Sequence, residues 1–156
     1  MNNKTYTVSE AKKKLEYYCA YQERCHKEVT DKLKSLGMIA IAIDEIIYHL
    51  IKHNYLNEER FAKSFARGKF NHKHWGKIRI KRELKFRKIS EYNIRTALKE
   101  ISEEDYIKKI YLISEKKIEA LQQKTKQEQQ KKIFNYLQYR GWENHLIYEV
   151  INNLFD

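Results

Sequence analysis

Proline is absent from this chain, and glycine is scarce, with four residues among 156. These two residues are the usual punctuation of tight turns and long loops, on which sheets and barrels depend. Their scarcity favours an all-α fold. The only cysteines, Cys19 and Cys25, lie six residues apart. On a helix that spacing turns them to different faces, so a disulfide framework is not expected.

Long apolar runs are also missing. A membrane-spanning helix needs about 18 or more consecutive apolar residues, and the segment Met38 to Ile43 is far shorter than that. The opening residues, MNNKTYTVSE, lack the apolar stretch of a secretory signal. Because 42% of the residues are hydrophobic, a core can still form. We therefore expect a folded protein with no membrane segment, located in the cytoplasm.

Positive charge is abundant but concentrated in one place. The net charge is +11, and residues 63–88 hold eleven Lys or Arg against the single acid Glu83. Almost the whole excess therefore lies in this one segment. Charge of this kind indicates partners rather than fold, so it predicts a surface that docks against something anionic.

Three segments of the chain share one apolar pattern without a gap. They are residues 29–50, 80–101 and 133–154, at offsets of 51 and 53. Of the seven shared positions, the first two lie four apart, and the last four have the i, i+3, i+4, i+7 spacing of an amphipathic helix. Each segment therefore predicts two helices. The shared positions are Val29/Ile80/Ile133, Leu33/Leu84/Leu137, Met38/Ile89/Trp142, Ile43/Ile94/Ile147, Ile46/Ala97/Val150, Ile47/Leu98/Ile151 and Leu50/Ile101/Leu154.

A further helix precedes each pair, and residues that cap helix N-termini mark where it begins. Thr7 and Glu10 have the spacing of a capping box, Asn57 precedes an acidic first turn, and Ser102 is followed by Asp105. Each copy of the pattern is therefore a unit of three helices.

Units of about 50 residues bury only about 60% of their surface and are marginal alone. Neighbouring copies should therefore dock as a tandem array, giving an elongated, curved molecule. The predicted repeats span residues 1–56, 57–101 and 102–156.

Glycine stands where the second helix of a repeat should stop. Gly37 and Gly141 suit the left-handed position that often ends a helix, but Lys88 replaces glycine in the middle repeat. Either that turn differs, or a non-glycine residue adopts a strained conformation there.

The second helix of the middle repeat has a basic face that its counterparts lack. Arg79, Arg82 and Phe86 point away from the core positions Ile80 and Leu84 on a helical wheel. The equivalent residues of the other repeats are less basic, so the scaffold does not require this charge. We predict that these side chains are exposed and bind a partner.

The segment just upstream, RGKFNHKHWG (67–76), is predicted to connect two helices. Its Lys69 and Lys73 could grip phosphates while Phe70 and Trp75 stack bases, a combination used on single strands. The same residues could instead pack against a neighbouring repeat, which we favour for Trp75. The candidate partner-binding residues are Arg67, Lys69, Lys73, Lys77, Arg79, Arg82, Lys85 and Phe86.

Catalytic and metal-binding motifs are not evident. Neither the adjacent Cys25 and His26 nor the pair His72 and His74 has a zinc-site spacing. We find no glycine-rich phosphate loop and no nucleophile elbow. We therefore expect no enzyme, no metal and no cofactor.

The middle of the chain resembles the RecX family of bacterial regulators of the RecA recombinase. The resemblance is carried by RFA (60–62), RGKF (67–70), WG (75–76), Ile80 and Leu84, together with the threefold layout. Lys88 departs from the glycine that is usual in the family. The resemblance implies an array of three-helix units that binds the RecA filament on DNA, blocks its extension or promotes its disassembly, and so modulates recombination, DNA repair and the SOS response.

Two other function classes stay open. One is a stand-alone nucleic-acid-binding repeat protein that uses the basic middle repeat. The other is an enzyme built on His72 and His74, which has little support. Under the RecX interpretation the partner is the RecA filament, with weak or indirect contact to DNA, single-stranded DNA included, and the acting species is a monomer.

Overall fold

A computed structural model describes residues 4–155, and every regular element in that range is an α-helix. The helices are α1 (Val8–Tyr21), α2 (His26–Ser35), α3 (Ala40–Lys52), α4 (Glu58–Lys73), α5 (Lys77–Phe86), α6 (Glu91–Leu98), α7 (Glu103–Ala120), α8 (Lys126–Tyr139) and α9 (Asn144–Leu154). Their closest packing is within the triplets α1–α3, α4–α6 and α7–α9. The architecture is therefore the all-α array of three-helix repeats that the sequence predicts.

The helix starts follow the predicted caps. Thr7 and Glu10 form a reciprocal capping box, and the side chains of Asn57 and Ser102 accept hydrogen bonds from the third helical amide of α4 and α7. Each of these bonds satisfies a backbone donor that the helix itself leaves without a partner.

The stops after the second helices share one conformation in all three repeats. Gly37 and Gly141 have φ of 81° and 89°, and Lys88 has φ of 60°. The turn of the middle repeat is therefore unchanged, and Lys88 adopts the left-handed backbone despite its Cβ.

The predicted connection at 67–76 is wrong for most of its length, because α4 continues through Lys73. Phe70 extends the buried stripe of Phe61, Ala62 and Ala66 by another turn, and no strong helix breaker intervenes. Only residues 74–76 connect α4 to α5, with His74 left-handed at φ 59°.

The apolar side chains form two separate cores. One lies inside repeat 1 and includes Leu15, Leu33 and Ile46. The other runs continuously through repeats 2 and 3. Cys25 of repeat 1 also belongs to this second core.

Repeats 2 and 3 meet through backbone as well as side chains. The amides of Gly76 and Ile78 donate to the carbonyl oxygens of Arg140 and Gly141, at 2.8 Å and 3.0 Å. Trp142 lies beneath this contact and is 1% exposed. The contact therefore fixes the N-terminus of α5 against the turn between α8 and α9.

Candidate partner-binding surface

The candidate surface comprises the exposed side of α5 and the last turns of α4. On α5, Ile80 and Leu84 are fully buried, while Arg82, Lys85 and Phe86 are exposed. Repeat 3 holds the start of this helix in place through the backbone bonds at Gly76 and Ile78. The exposed side chains are therefore presented on a supported helix rather than on a loop.

Arg82 and Lys85 form no salt bridge within residues 4–155. Phe86 is 67% exposed, and the Nζ of Lys27 lies 5.5 Å from its ring centroid. Arg82 and Phe86 are therefore exposed as the helical wheel predicts, and Lys85 lies beside them. They combine positive charge with an exposed aromatic ring.

Arg79 differs from the prediction, because it is half-buried rather than exposed. Its guanidinium carbon lies 4.2 Å from the ring centroid of Trp75 and 4.8 Å from that of Tyr139. One terminal nitrogen donates to the Tyr139 carbonyl at 3.3 Å. The helical wheel placed Arg79 outside the core of its own repeat, but it could not show that repeat 3 covers that position.

Lys69 belongs to a cluster of cations and aromatic rings beside Arg79. Its Nζ lies 4.9 Å from the Trp75 ring centroid and 5.4 Å from that of Phe65, and Arg87 lies 4.8 Å from the Phe65 centroid. Such contacts contribute about 0.5–1 kcal/mol each at exposed sites. The favoured packing role of Trp75 agrees with this arrangement.

This cluster contains acids as well as cations, because Glu23 and Glu28 line the same cleft as Lys69, Lys73 and Arg87. Burial lowers the pKa of Lys69, and the positive charges of Lys73 and Arg87 lower it further. The carboxylate of Glu83, which is bonded to Arg87 at 3.3 Å, acts in the opposite direction.

Two predicted residues are engaged inside the protein. Arg67 lies 3.2 Å from a carboxylate oxygen of Glu100. The Nζ of Lys77 lies 3.9 Å from Glu103 and 4.5 Å from the ring centroid of Tyr106. Both have partners in α6–α7 or the turn between them, and they do not join the cluster around Lys69.

The cluster includes Phe65, Arg87 and Tyr139, which were not among the candidate residues. Ending α4 too early hid the i, i+4, i+8 spacing that places Phe65, Lys69 and Lys73 on one helix face. The contact with Tyr139 crosses from one repeat to another, and no local spacing indicates it.

The cysteines and histidines were also considered as reactive or metal-binding groups. Burial raises the pKa of Cys19 and of Cys25 to about 11, which keeps both thiols protonated at neutral pH. Burial lowers the pKa of His74, and Lys109 adds to this effect. Across residues 4–155 no group of three or more metal-ligating side chains is present. No helix in the same range is long and apolar enough to cross a bilayer.

Comparison with known proteins gives a consistent result. Residues 57–98 match the family model for the second three-helix domain of RecX. The regulatory protein RecX of Vibrio parahaemolyticus is 33% identical over 115 residues, covering 74% of this chain and 72% of the relative. The RecX of Oceanobacillus iheyensis is 26% identical over 138 residues, and the chain spans about half of its length, 51%.

Solved structures agree with the sequence relatives. The crystal structure of RecX from Lactobacillus salivarius superposes with a TM-score of 0.80 at 28% identity, covering 94% of this chain and 96% of that one. A second crystal structure of a regulatory protein RecX has a TM-score of 0.82 at 20% identity and supports the fold alone. The chain belongs to the RecX family of regulatory proteins.

Proposed function

We propose that this protein binds the RecA filament assembled on DNA and restrains it, by blocking its extension or by promoting its disassembly. The observation that carries the proposal is the set of exposed side chains on α5, where Arg82 and Lys85 have no acidic partner in the described part of the chain. The surface lies within residues 57–98, the segment that matches the RecX family model.

Restraining the filament in this way requires binding alone. Complementary charge speeds encounter and sets the orientation of docking, and the array places its other repeats against neighbouring parts of a polymer. No catalytic step is required, so the protein acts as a non-enzymatic regulator. We place this action in the cytoplasm, with a monomer as the acting species.

The test is the DNA-dependent ATPase of RecA, measured with and without this protein at two salt concentrations. The parent protein should inhibit, and less so at high salt. The double substitution Arg82→Glu with Lys85→Glu should abolish most of the inhibition while leaving the melting temperature nearly unchanged, because both side chains are exposed. Arg79 is not substituted, because it packs against Trp75 and Tyr139. Its replacement could reduce inhibition by disturbing the structure rather than by removing a binding contact.

A matched control changes the same number of charges elsewhere. Lys124→Glu with Lys126→Glu alters two exposed lysines at the turn between α7 and α8, and this variant should inhibit like the parent. If the α5 variant inhibited RecA normally, the surface would have no part in the mechanism.

The second candidate, a stand-alone nucleic-acid-binding module, is favoured by the cluster of Lys69, Trp75 and Arg87. Cations beside aromatic rings suit backbone and base contacts together. Tight binding to DNA without RecA, falling steeply with salt, combined with no effect on RecA ATPase, would support this module over the filament regulator.

A further inference from the structure

Repeat 1 carries a surface of tyrosines and cations separate from the basic face of α5. We define this tyrosine patch as Lys14, Tyr17, Tyr18, Tyr21, Arg24 and Lys32. Tyr17 and Tyr21 lie one turn apart on α1 and are 69% and 83% exposed. Two neighbouring rings on one helix are thus open to solvent.

These rings are not needed for the fold of repeat 1. The buried residues of α1 are Ala11, Leu15 and Cys19, and Tyr17 and Tyr21 lie outside that stripe. Large aromatic side chains left in solvent next to each other often mark a binding surface.

Tyr18 and Arg24 form a rigid edge to the patch. The Arg24 guanidinium carbon lies 3.7 Å from the Tyr18 ring centroid, and its Nε donates to the Tyr18 carbonyl at 2.9 Å. Lys32 approaches the same ring at 5.8 Å. The cations are therefore held beside aromatic faces.

None of the six residues that define the patch is acidic. Of the nearby acids, Glu16 lies 2.8 Å from His49 and Glu23 is paired with Arg60. Glu28 accepts from the amide of Cys25 at 3.0 Å and keeps its negative charge close to Tyr18. Lys14, Arg24 and Lys32 outnumber this carboxylate, so the patch keeps a positive charge that suits a bound anion.

We propose that the tyrosine patch binds single-stranded nucleic acid. Two successive bases stack on Tyr17 and Tyr21, while Lys14, Arg24 and Lys32 contact the phosphates. Proteins that bind single strands combine these two features, and each stacked base contributes about 1–3 kcal/mol by alanine substitution. A duplex buries its bases in the stack and would not offer these faces.

The experiment measures binding of a fluorescent oligothymidine to the full chain by anisotropy, without any RecA. Tyr17→Ala with Tyr21→Ala should weaken binding by at least about tenfold, the change expected from losing roughly 1.4 kcal/mol. Tyr17→Trp with Tyr21→Trp should retain binding. The control, Tyr48→Ala with Tyr92→Ala, removes two tyrosines that are each 66% exposed in other places and should bind like the parent.

An abasic oligonucleotide of equal length separates stacking from charge. The parent should bind it at least about tenfold more weakly than oligothymidine, and the Tyr17/Tyr21 double variant should bind it as the parent does. Equal binding of the two oligonucleotides by the parent, or full binding of oligothymidine by the double variant, would overturn the proposal. So would a tyrosine dependence seen only with phosphatidylserine vesicles, which would assign the patch to a membrane surface instead.

The inference is independent of the filament proposal. The Arg82→Glu, Lys85→Glu variant leaves the tyrosine patch intact and should retain at least half of the base-dependent binding. A failure of one proposal therefore leaves the other standing.

Discussion

The two junctions between repeats are built from equivalent positions but from different residues. At the second junction, Gly76 packs against the turn at Gly141, and a Cβ added to Gly76 would lie 2.4 Å from the Gly141 carbonyl oxygen. The offsets of 51 and 53 residues place Cys25 and Lys88 at the corresponding points of the first junction. Side chains there prevent the same approach of the two backbones.

The first junction is therefore polar. The amide of Cys25 donates to Glu28 inside repeat 1, and that of His26 donates to Glu58 of repeat 2, each at 3.0 Å. At the second junction the amide of Lys77, the equivalent of His26, likewise donates to a side chain, the Tyr106 hydroxyl, but the amides of Gly76 and Ile78 donate to the backbone of the next repeat. A cleft of about 380 Å³, lined by α2, Glu58 and Lys88 among others, remains open. The same three-helix repeat thus forms a tightly packed interface between repeats 2 and 3 and a more open interface between repeats 1 and 2.

The largest expected loss of stability comes from replacing the leucines that occupy equivalent core positions in the three repeats. Leu33, Leu84 and Leu137 are each fully buried, so replacing any one by alanine should lower the free energy of unfolding by about 2–5 kcal/mol. Leu84→Ala and Leu137→Ala should each reduce amide hydrogen-exchange protection in both repeats 2 and 3, because those repeats share one core. Leu33→Ala should reduce protection only in repeat 1, and a loss spread over the whole chain would contradict the division into two cores.

A smaller effect is expected from glycine to alanine in two left-handed turns. Gly141→Ala places a Cβ 2.3 Å from the Cβ of Arg79, whereas a Cβ at Gly37 meets nothing within 4 Å. Both changes carry the backbone strain of about 1–2 kcal/mol, and only Gly141→Ala adds a clash, worth about 1–3 kcal/mol. Thermal melting should show Gly141→Ala as clearly the less stable variant, and equal losses would mean that the second junction is not tightly packed.

Removing the polar contacts of the first junction should loosen it. Arg60 pairs with Glu23 and donates to the Asn54 side chain at 3.0 Å and to the Asn54 carbonyl at 3.1 Å. Because Arg60 is partly exposed, Arg60→Ala should lower stability by only about 1 kcal/mol. The distance distribution between fluorophores in repeats 1 and 3 should broaden. Arg67→Ala, which removes an ion pair inside repeat 2, is the control and should leave that distribution unchanged.

The smallest effect is expected at Lys88. Lys88→Gly relieves a left-handed backbone and should raise stability by up to about 1 kcal/mol. Lys85→Gly, inside α5, should lower it by about 1 kcal/mol. Chemical denaturation can resolve these opposite signs, and a loss of stability in Lys88→Gly would show that the Lys88 side chain itself stabilises the first junction.

The fold was predictable because its determinants are local and repeated. The caps at Thr7, Asn57 and Ser102 and the stops at Gly37 and Gly141 are each set by residues within one or two turns. The end of α4 was missed because residues 67–76 were interpreted as a connection between two helices, although Phe70 is still on the buried face. The repeat boundaries at 56/57 and 101/102 stay a prediction, which limited proteolysis can test.

The candidate surface was only partly predictable. The exposure of Arg82 and Phe86 was predictable, because a helical wheel places both away from the core positions Ile80 and Leu84. Arg79, Arg67 and Lys77 have partners 60, 33 and 26 to 29 residues away. Contacts at that separation depend on how the helices and repeats pack against each other. The spacing of apolar residues along one helix does not predict them.

The polar first junction has a mechanical consequence. For the docking on a filament that we propose, a rigid three-unit array would match only one pitch of the polymer, whereas the side-chain contacts around Arg60 would let the first junction bend. Under that proposal, repeats 2 and 3 would bind as one unit, and repeat 1 would adjust to a stretched or compressed filament.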